Sequence, residues 1–220
     1  KMVFQPRKLL RISSDANHES IKDQIHFSSE ISFQSNIECD PIQKAWIIPA
    51  QVCYCAEAFS AVNFQHPDAP KLSLLSAALR NGYLHSAIRE KGGAYGSGAS
   101  NEPSTEVFRF FSYRDPNCKN TFDHFKKSIE WLDTNLSQQN LDEAILNVIS
   151  SIDKPLSPSG EAKVDFYGTL NGKSHEDLVA FRDGVLNANI SDIKRVAEKY
   201  LMQDSFKSVV AGEKFDQEIS

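Results

Sequence analysis

No stretch constrains the fold of this 220-residue chain more than Arg89-Glu90-Lys91-Gly92-Gly93-Ala94-Tyr95-Gly96. Ahead of it, apolar residues recur at helical spacing: Leu72, Leu75, Leu79, Tyr83 and Ile88. That period predicts one amphipathic helix from Ala69 to the last turn that carries Arg89. Gly92-Gly93 supplies the backbone freedom that ends such a helix. Ala94 to Ser100 is a run of nearly all small residues and predicts a strand. Gly96 and Gly98 share one of its faces and would let another backbone come close. The break also sets a guanidinium and a phenol six residues apart. Both groups donate well to a carbonyl oxygen that is gaining negative charge. Each also has an ordinary role, because Arg at a helix C-terminus complements the dipole and a strand Tyr is common core material. Residue chemistry leaves both readings open. His85, one turn before Arg89, could line the same cleft or serve packing.

Around this stretch the patterns suggest an α+β domain. Strands are expected at Lys44–Pro49, Val52–Phe59 and Glu106–Tyr113, the last apolar on both faces and hence central. Helices are expected over Phe122–Leu136, from a capping-box-like start at Asn140 through Ile152, and near 160–170, 175–187 and 191–202. Ser174 and Ser191 would begin the last two. Strands come early and helices late, which fits a mainly antiparallel sheet with helices on one face rather than alternating α/β. Two strand–turn–helix units bracket the chain, Lys8–Ile21 and Phe206–Ile219. They read either as repeats, with residues 1–38 the tail of a preceding homologous domain and 39–220 one full domain, or as two unrelated common units.

Net charge is −5 with pI about 5.7, so no basic face is available for phosphates and nucleic acid is excluded as a partner. No apolar run approaches the length of a membrane span. The four cysteines, Cys39, Cys53, Cys55 and Cys118, do not suggest a disulfide scaffold, which favours a reducing compartment. Cys53 and Cys55 point to one strand face, but no second ligand pair stands at zinc-site spacing, so they read as buried free thiols. Among the histidines, no H-x-x-E-H, H-E-x-x-H or G-x-S-x-G motif occurs, and no phosphate-binding glycine loop. The chain holds donors for a reacting carbonyl and nothing to activate a nucleophile.

Four segments carry a resemblance: "HPDAPKLSLLSAALRNGYLHSAIREKGGAYGSGAS", "FRFFSYRDP", "SSIDKPLSPSGEAKVDFYGTLNG" and "IKRVAEKYL". They resemble the C-terminal quarter of the presequence-protease (falcilysin-like) branch of the pitrilysin/insulinase metallopeptidases, over residues 40 to 212. The resemblance implies an insulinase-type domain, one of several homologous domains paired into two halves that close around an unfolded oligopeptide. It implies Zn2+ and a catalytic Glu in the first domain of the full-length enzyme, and no metal on this chain. It implies that Arg89 and Tyr95 bind the substrate carbonyl and its transition state, with His85, Gly92, Gly93, Gly96 and Ser97 lining the peptide site. The partners would be the peptide and the N-terminal half of the same polypeptide. A non-catalytic peptide-binding or scaffold relative is the competing reading. The compartment would be a bacterial cytoplasm or the interior of a mitochondrion or plastid.

Overall fold

The computed structural model describes residues 43–215; the expected tail at 1–38 and the helix near Asp216 lie outside the described residues. Residues 43–154 and 175–215 form the main body, and residues 155–174 are a separate unit. In the main body, β1 (Gln43–Ile48), β2 (Cys53–Ser60), β3 (Gly96–Glu102), β4 (Val107–Asp115) and β5 (Phe206–Gly212) build one sheet in the order β1-β5-β2-β4-β3. Only β1 and β5 run parallel; the other three pairs are antiparallel. The α+β class with a mainly antiparallel sheet is therefore as expected.

Helices α1 (Ala69–Leu79), α2 (Lys119–Asn135), α3 (Gln138–Ile152), α5 (His175–Leu186) and α6 (Ile190–Leu201) belong to the main body. Helix α4 (Pro158–Leu170) belongs to the separate unit, where Ser157 accepts from Gly160 N–H and caps it. Period-2 burial along β2 turns Cys53, Cys55 and Phe59 inward. On β4, Phe108 and Phe110 are buried, whereas Phe111 and Tyr113 face the other, more exposed side. β4 lies between β2 and β3, an interior strand as its apolar pattern implied, but its outer face is only partly covered and flanks the candidate site. Phe110 stacks on Phe125 of α2 at 5.3 Å and meets Phe59 edge-on at 6.0 Å. Leu72, Leu75 and Leu79 of α1 and Ile193 and Val196 of α6 close the core.

Three starts or stops differ from the sequence reading. The cap of α3 is Ser137, reciprocally bonded with Asn140, so the helix begins before the Asn140 signal. The cap of α6 is Asn189, paired with Asp192, which puts Ser191 inside the helix. The long helix expected from Ala69 changes type: after Leu79 it continues as a π-helix over Arg80–Glu90. Hydrophobic period alone does not reveal a register of i→i+5 bonds.

Helix α1 is anchored from its start. Asp68 is buried at its N-cap position and accepts from Arg195 at 2.6 Å, Lys199 at 2.9 Å and Tyr200 at 2.8 Å. Burial opposes ionisation of Asp68, but these donors outweigh it and hold the carboxyl well below the usual carboxylate range. Because the folded value is depressed, the carboxylate's contribution is complete above the ordinary Asp value of about 3.9 and is lost as pH falls through the folded value. Asp68→Asn is expected to cost about 2–3 kcal/mol at pH 7, discounted for the half-exposed Arg195 and Lys199. Denaturant unfolding at pH 7 and pH 3 checks this: the gap between wild type and variant should narrow at pH 3.

Candidate active site half

The π-helix ends in a turn that its own backbone closes. Lys91 N–H donates to Ser86 C=O at 3.0 Å, Gly93 N–H to Arg89 C=O at 3.0 Å, and Ala94 N–H to Ile88 C=O at 3.1 Å. Gly93 sits at φ +78°, the left-handed position that caps a helix. The turn is clamped from the β4–α2 loop, where Asn117 Nδ2 donates to Gly92 C=O at 2.6 Å. Asn117 is fixed in turn: its N–H donates to the Asp115 carboxylate at 2.9 Å, which also accepts from Thr121 Oγ1 at 2.6 Å. Ser97 Oγ then donates to Leu84 C=O at 3.2 Å, tying β3 to the π-helix.

Arg89 and His85 are brought together. Arg89 Nη1 lies 3.1 Å from His85 Nε2. A guanidinium can only donate, so Nε2 is the acceptor side of this contact. The other ring nitrogen, Nδ1, faces Glu90 Oε1 at 3.5 Å. His85 thus lies between Arg89 and Glu90 on the exposed side of the π-helix.

Tyr95 follows the turn and is 63% exposed. Among the described residues its hydroxyl has no hydrogen-bond partner. Its ring packs edge-on against Tyr113 at 5.5 Å, and the Arg114 guanidinium stands 5.7 Å from its centroid. Tyr95 N–H donates to Arg114 C=O at 3.3 Å. A β-bulge creates this neighbourhood: the β2–β4 register shifts between Cys53 and Cys55, and Arg114 adopts φ 49°. Tyr113 and Arg114 are consequently both exposed, side by side. Gly96 lies opposite Tyr113, and a Cβ there would fall 2.2 Å from the ring. The open space anticipated at Gly96 is thus occupied by Tyr113, not by another backbone.

The family model of the PreP C-terminal domain matches residues 43–213. The chain belongs to this family. Similar curated proteins are mitochondrial presequence proteases. That of Emericella nidulans is 41% identical over 179 residues, 80% of this chain and 17% of the relative. That of Kluyveromyces lactis is 38% identical over 168 residues, 75% and 17% respectively. That of Drosophila melanogaster is 34% identical over 197 residues, 88% and 19%. The chain thus spans less than a fifth of the length of these relatives. A protease from Helicobacter pylori shares the fold, with TM-score 0.68 and 20% identity over 90% of this chain and 53% of the other. So does the peptidase M16 inactive domain from Pseudomonas fluorescens, with TM-score 0.64 and 17% identity over 84% and 46%.

Hydrolytic zinc sites use imidazole and carboxylate ligands with an open coordination position. Among the described residues of this PreP C-terminal domain, the one group of three potential ligands is Cys53, Cys55 and Cys118. All three are buried and none supplies an imidazole or carboxylate. They do not fit a hydrolytic zinc.

Sequence reasoning missed Glu90, Tyr113, Arg114 and Asn117. Glu90 stood in the motif, but its partnership with His85 depends on the π register. Nothing in the sequence marks the bulge that delivers Arg114. The turn itself gives a direct test. Gly93→Ala should destabilise by about 1–2 kcal/mol, because an L side chain is strained at that φ. Gly93→Asn should recover most of the loss, since Asn tolerates the left-handed region. Chemical denaturation of the three proteins checks both.

Proposed function

We propose that this chain is the non-zinc, C-terminal part of a metalloendopeptidase that degrades unfolded peptides such as targeting presequences. The carrying observation is the Arg89–His85 contact on one side of the glycine turn and the exposed Tyr95 hydroxyl, without a hydrogen-bond partner among the described residues, on the other. Attack on a peptide carbonyl builds charge on its oxygen. Tyr95 O–H donates to that oxygen, and Arg89, held on its imidazole, adds a second donor and a positive charge. His85 positions Arg89. Gly92, Gly93, Gly96 and Ser97 fix the turn that presents both donors to the peptide. Attacking water and Zn2+ belong to the N-terminal half of the same longer polypeptide, whose closure on this half completes the site. Residues 1–38 are proposed as the tail of the domain that precedes residues 39–220.

That the relatives are presequence proteases supports the substrate class, and their being mitochondrial supports a mitochondrial interior. No helix among the described residues is long and apolar enough to cross a membrane.

In the full-length protein, Tyr95→Phe and Arg89→Ala are expected to lower kcat by about 10²–10³ each. KM should move less, because the ground-state carbonyl carries less charge. His85→Ala should lower kcat less than Arg89→Ala. Structural cost should stay near or below about 1 kcal/mol for Tyr95→Phe. Steady-state kinetics with a presequence peptide, alongside thermal melting, checks this; wild-type turnover in Tyr95→Phe would make the pair structural.

A further inference from the structure

The sequence separates Cys118 from Cys53 and Cys55 by more than 60 residues, yet the fold gathers all three thiols. Their Sγ atoms lie within 4.8 Å of one another, with Cys53 and Cys55 at 3.9 Å. Cys53 and Cys55 come from the inward face of β2, and Cys118 is the N-cap of α2. A second, independent feature points into the same place. Ser112 is paired directly with Cys55 across the β2–β4 ladder, so their side chains share a face. Its hydroxyl is buried and has no hydrogen-bond partner among the described residues. A buried hydroxyl left unpaired is costly unless it acquires a ligand.

We propose that Cys53, Cys55 and Cys118, with the Ser112 hydroxyl as a neutral fourth donor, form a binding site for one thiophilic divalent d10 cation of the Zn2+ class. Tetrahedral coordination with Zn–S about 2.3 Å places sulfurs about 3.8 Å apart. The Cys53–Cys55 separation already matches, and Cys118 needs only a short side-chain adjustment. Charge selects a divalent ion. Three thiolates and a divalent cation leave one net negative charge, whereas a monovalent ion would leave two in a buried site. That residual charge faces the positive N-terminal end of α2. Beyond Cys118 opens a cavity of about 310 Å³ lined by Lys44, Lys119 and Lys207 together with Asp123, Lys207 also pairing with Glu57 at 3.4 Å. The cavity also provides an entry path. Binding of the cation displaces the thiol protons. Such a site would cross-link β2 to the start of α2, without taking part in hydrolysis.

The test uses the full-length protein, reduced and freed of metal, then titrated with Co2+. Thiolate-to-Co2+ charge-transfer absorption separates a thiolate site from imidazole and carboxylate ligands, and its loss in the cysteine variants assigns it to this one. One equivalent with that absorption is expected, and Zn2+ should displace it. Loss of an outer partner of a metal typically costs about 10–100-fold in affinity, so Cys118→Ser and Cys55→Ser should weaken binding by at least about 100-fold. Ser112→Ala, a smaller change that keeps the thiols, should shift the ligand-field spectrum. Melting by circular dichroism shows whether each variant is folded. A folded, fully reduced wild type with no thiolate charge-transfer band overturns the proposal. So does a band that survives in folded Cys118→Ser, or isolation of the protein with two of these thiols joined as a disulfide. Peptidase kinetics is a separate readout, so failure here leaves the Arg89/Tyr95 assignment untouched.

Discussion

The direct seat of the helix on β3 determines where everything else in the candidate site lies. The inward residues of that strand are Ser97, Ala99 and Asn101, short enough to let α1 and the π-helix rest on its backbone. Two of them bond to the helix: Ser97 Oγ donates to Leu84 C=O, and Asn101 Nδ2 donates to Ala69 C=O and Ser73 Oγ. Ala99 is buried between them. Each such bond contributes about 0.5–1.5 kcal/mol, but their geometric effect is larger. A helix held this close must reverse into the strand within a few residues, which puts Arg89 at the end of the π-helix and Tyr95 just before β3 on either side of the glycine turn.

The end of β4 serves two chemically different neighbourhoods through one bulge. Outward, it presents Tyr113 and Arg114 beside Tyr95. Inward, it drops Asp115 into the core, fully buried, where the carboxylate fixes Asn117 and Thr121. Asn117 clamps the glycine turn from one side. The next residue, Cys118, starts α2 and meets the thiols of β2. The exposed Tyr113 and Arg114 and one thiol of the buried cluster, Cys118, thus come from one short segment. Asp115 is the shared support, which ties the order of the site's rim to that of the core beneath it.

Much of this was legible in the sequence, for a physical reason. Strand positions at β1, β2 and β5 followed from short apolar runs, and Leu72, Leu75, Leu79 and Ile88 are core as their spacing implied. Gly92-Gly93 did end the helix, since a left-handed cap leaves few alternatives to glycine. The Arg89–His85 contact was legible because i, i+4 neighbours remain close even in the wider helix. The rest depended on information that is not local. A π register does not change which residues are apolar, so the role of Glu90 was hidden. Tyr113 and Phe111 looked like core because apolarity does not say which face of a strand is covered. Cys118 joined Cys53 and Cys55 only through sheet pairing and helix packing, which no spacing rule encodes.

A structure of the full-length protein with an uncleaved peptide bound tests the central assignment most directly. Expected is one peptide carbonyl oxygen within about 2.5–3.2 Å of the Tyr95 hydroxyl, with Arg89 beside it and still in contact with His85. A peptide seated for cleavage while Tyr95 and Arg89 both face solvent would contradict the assignment of this domain as half of the active site.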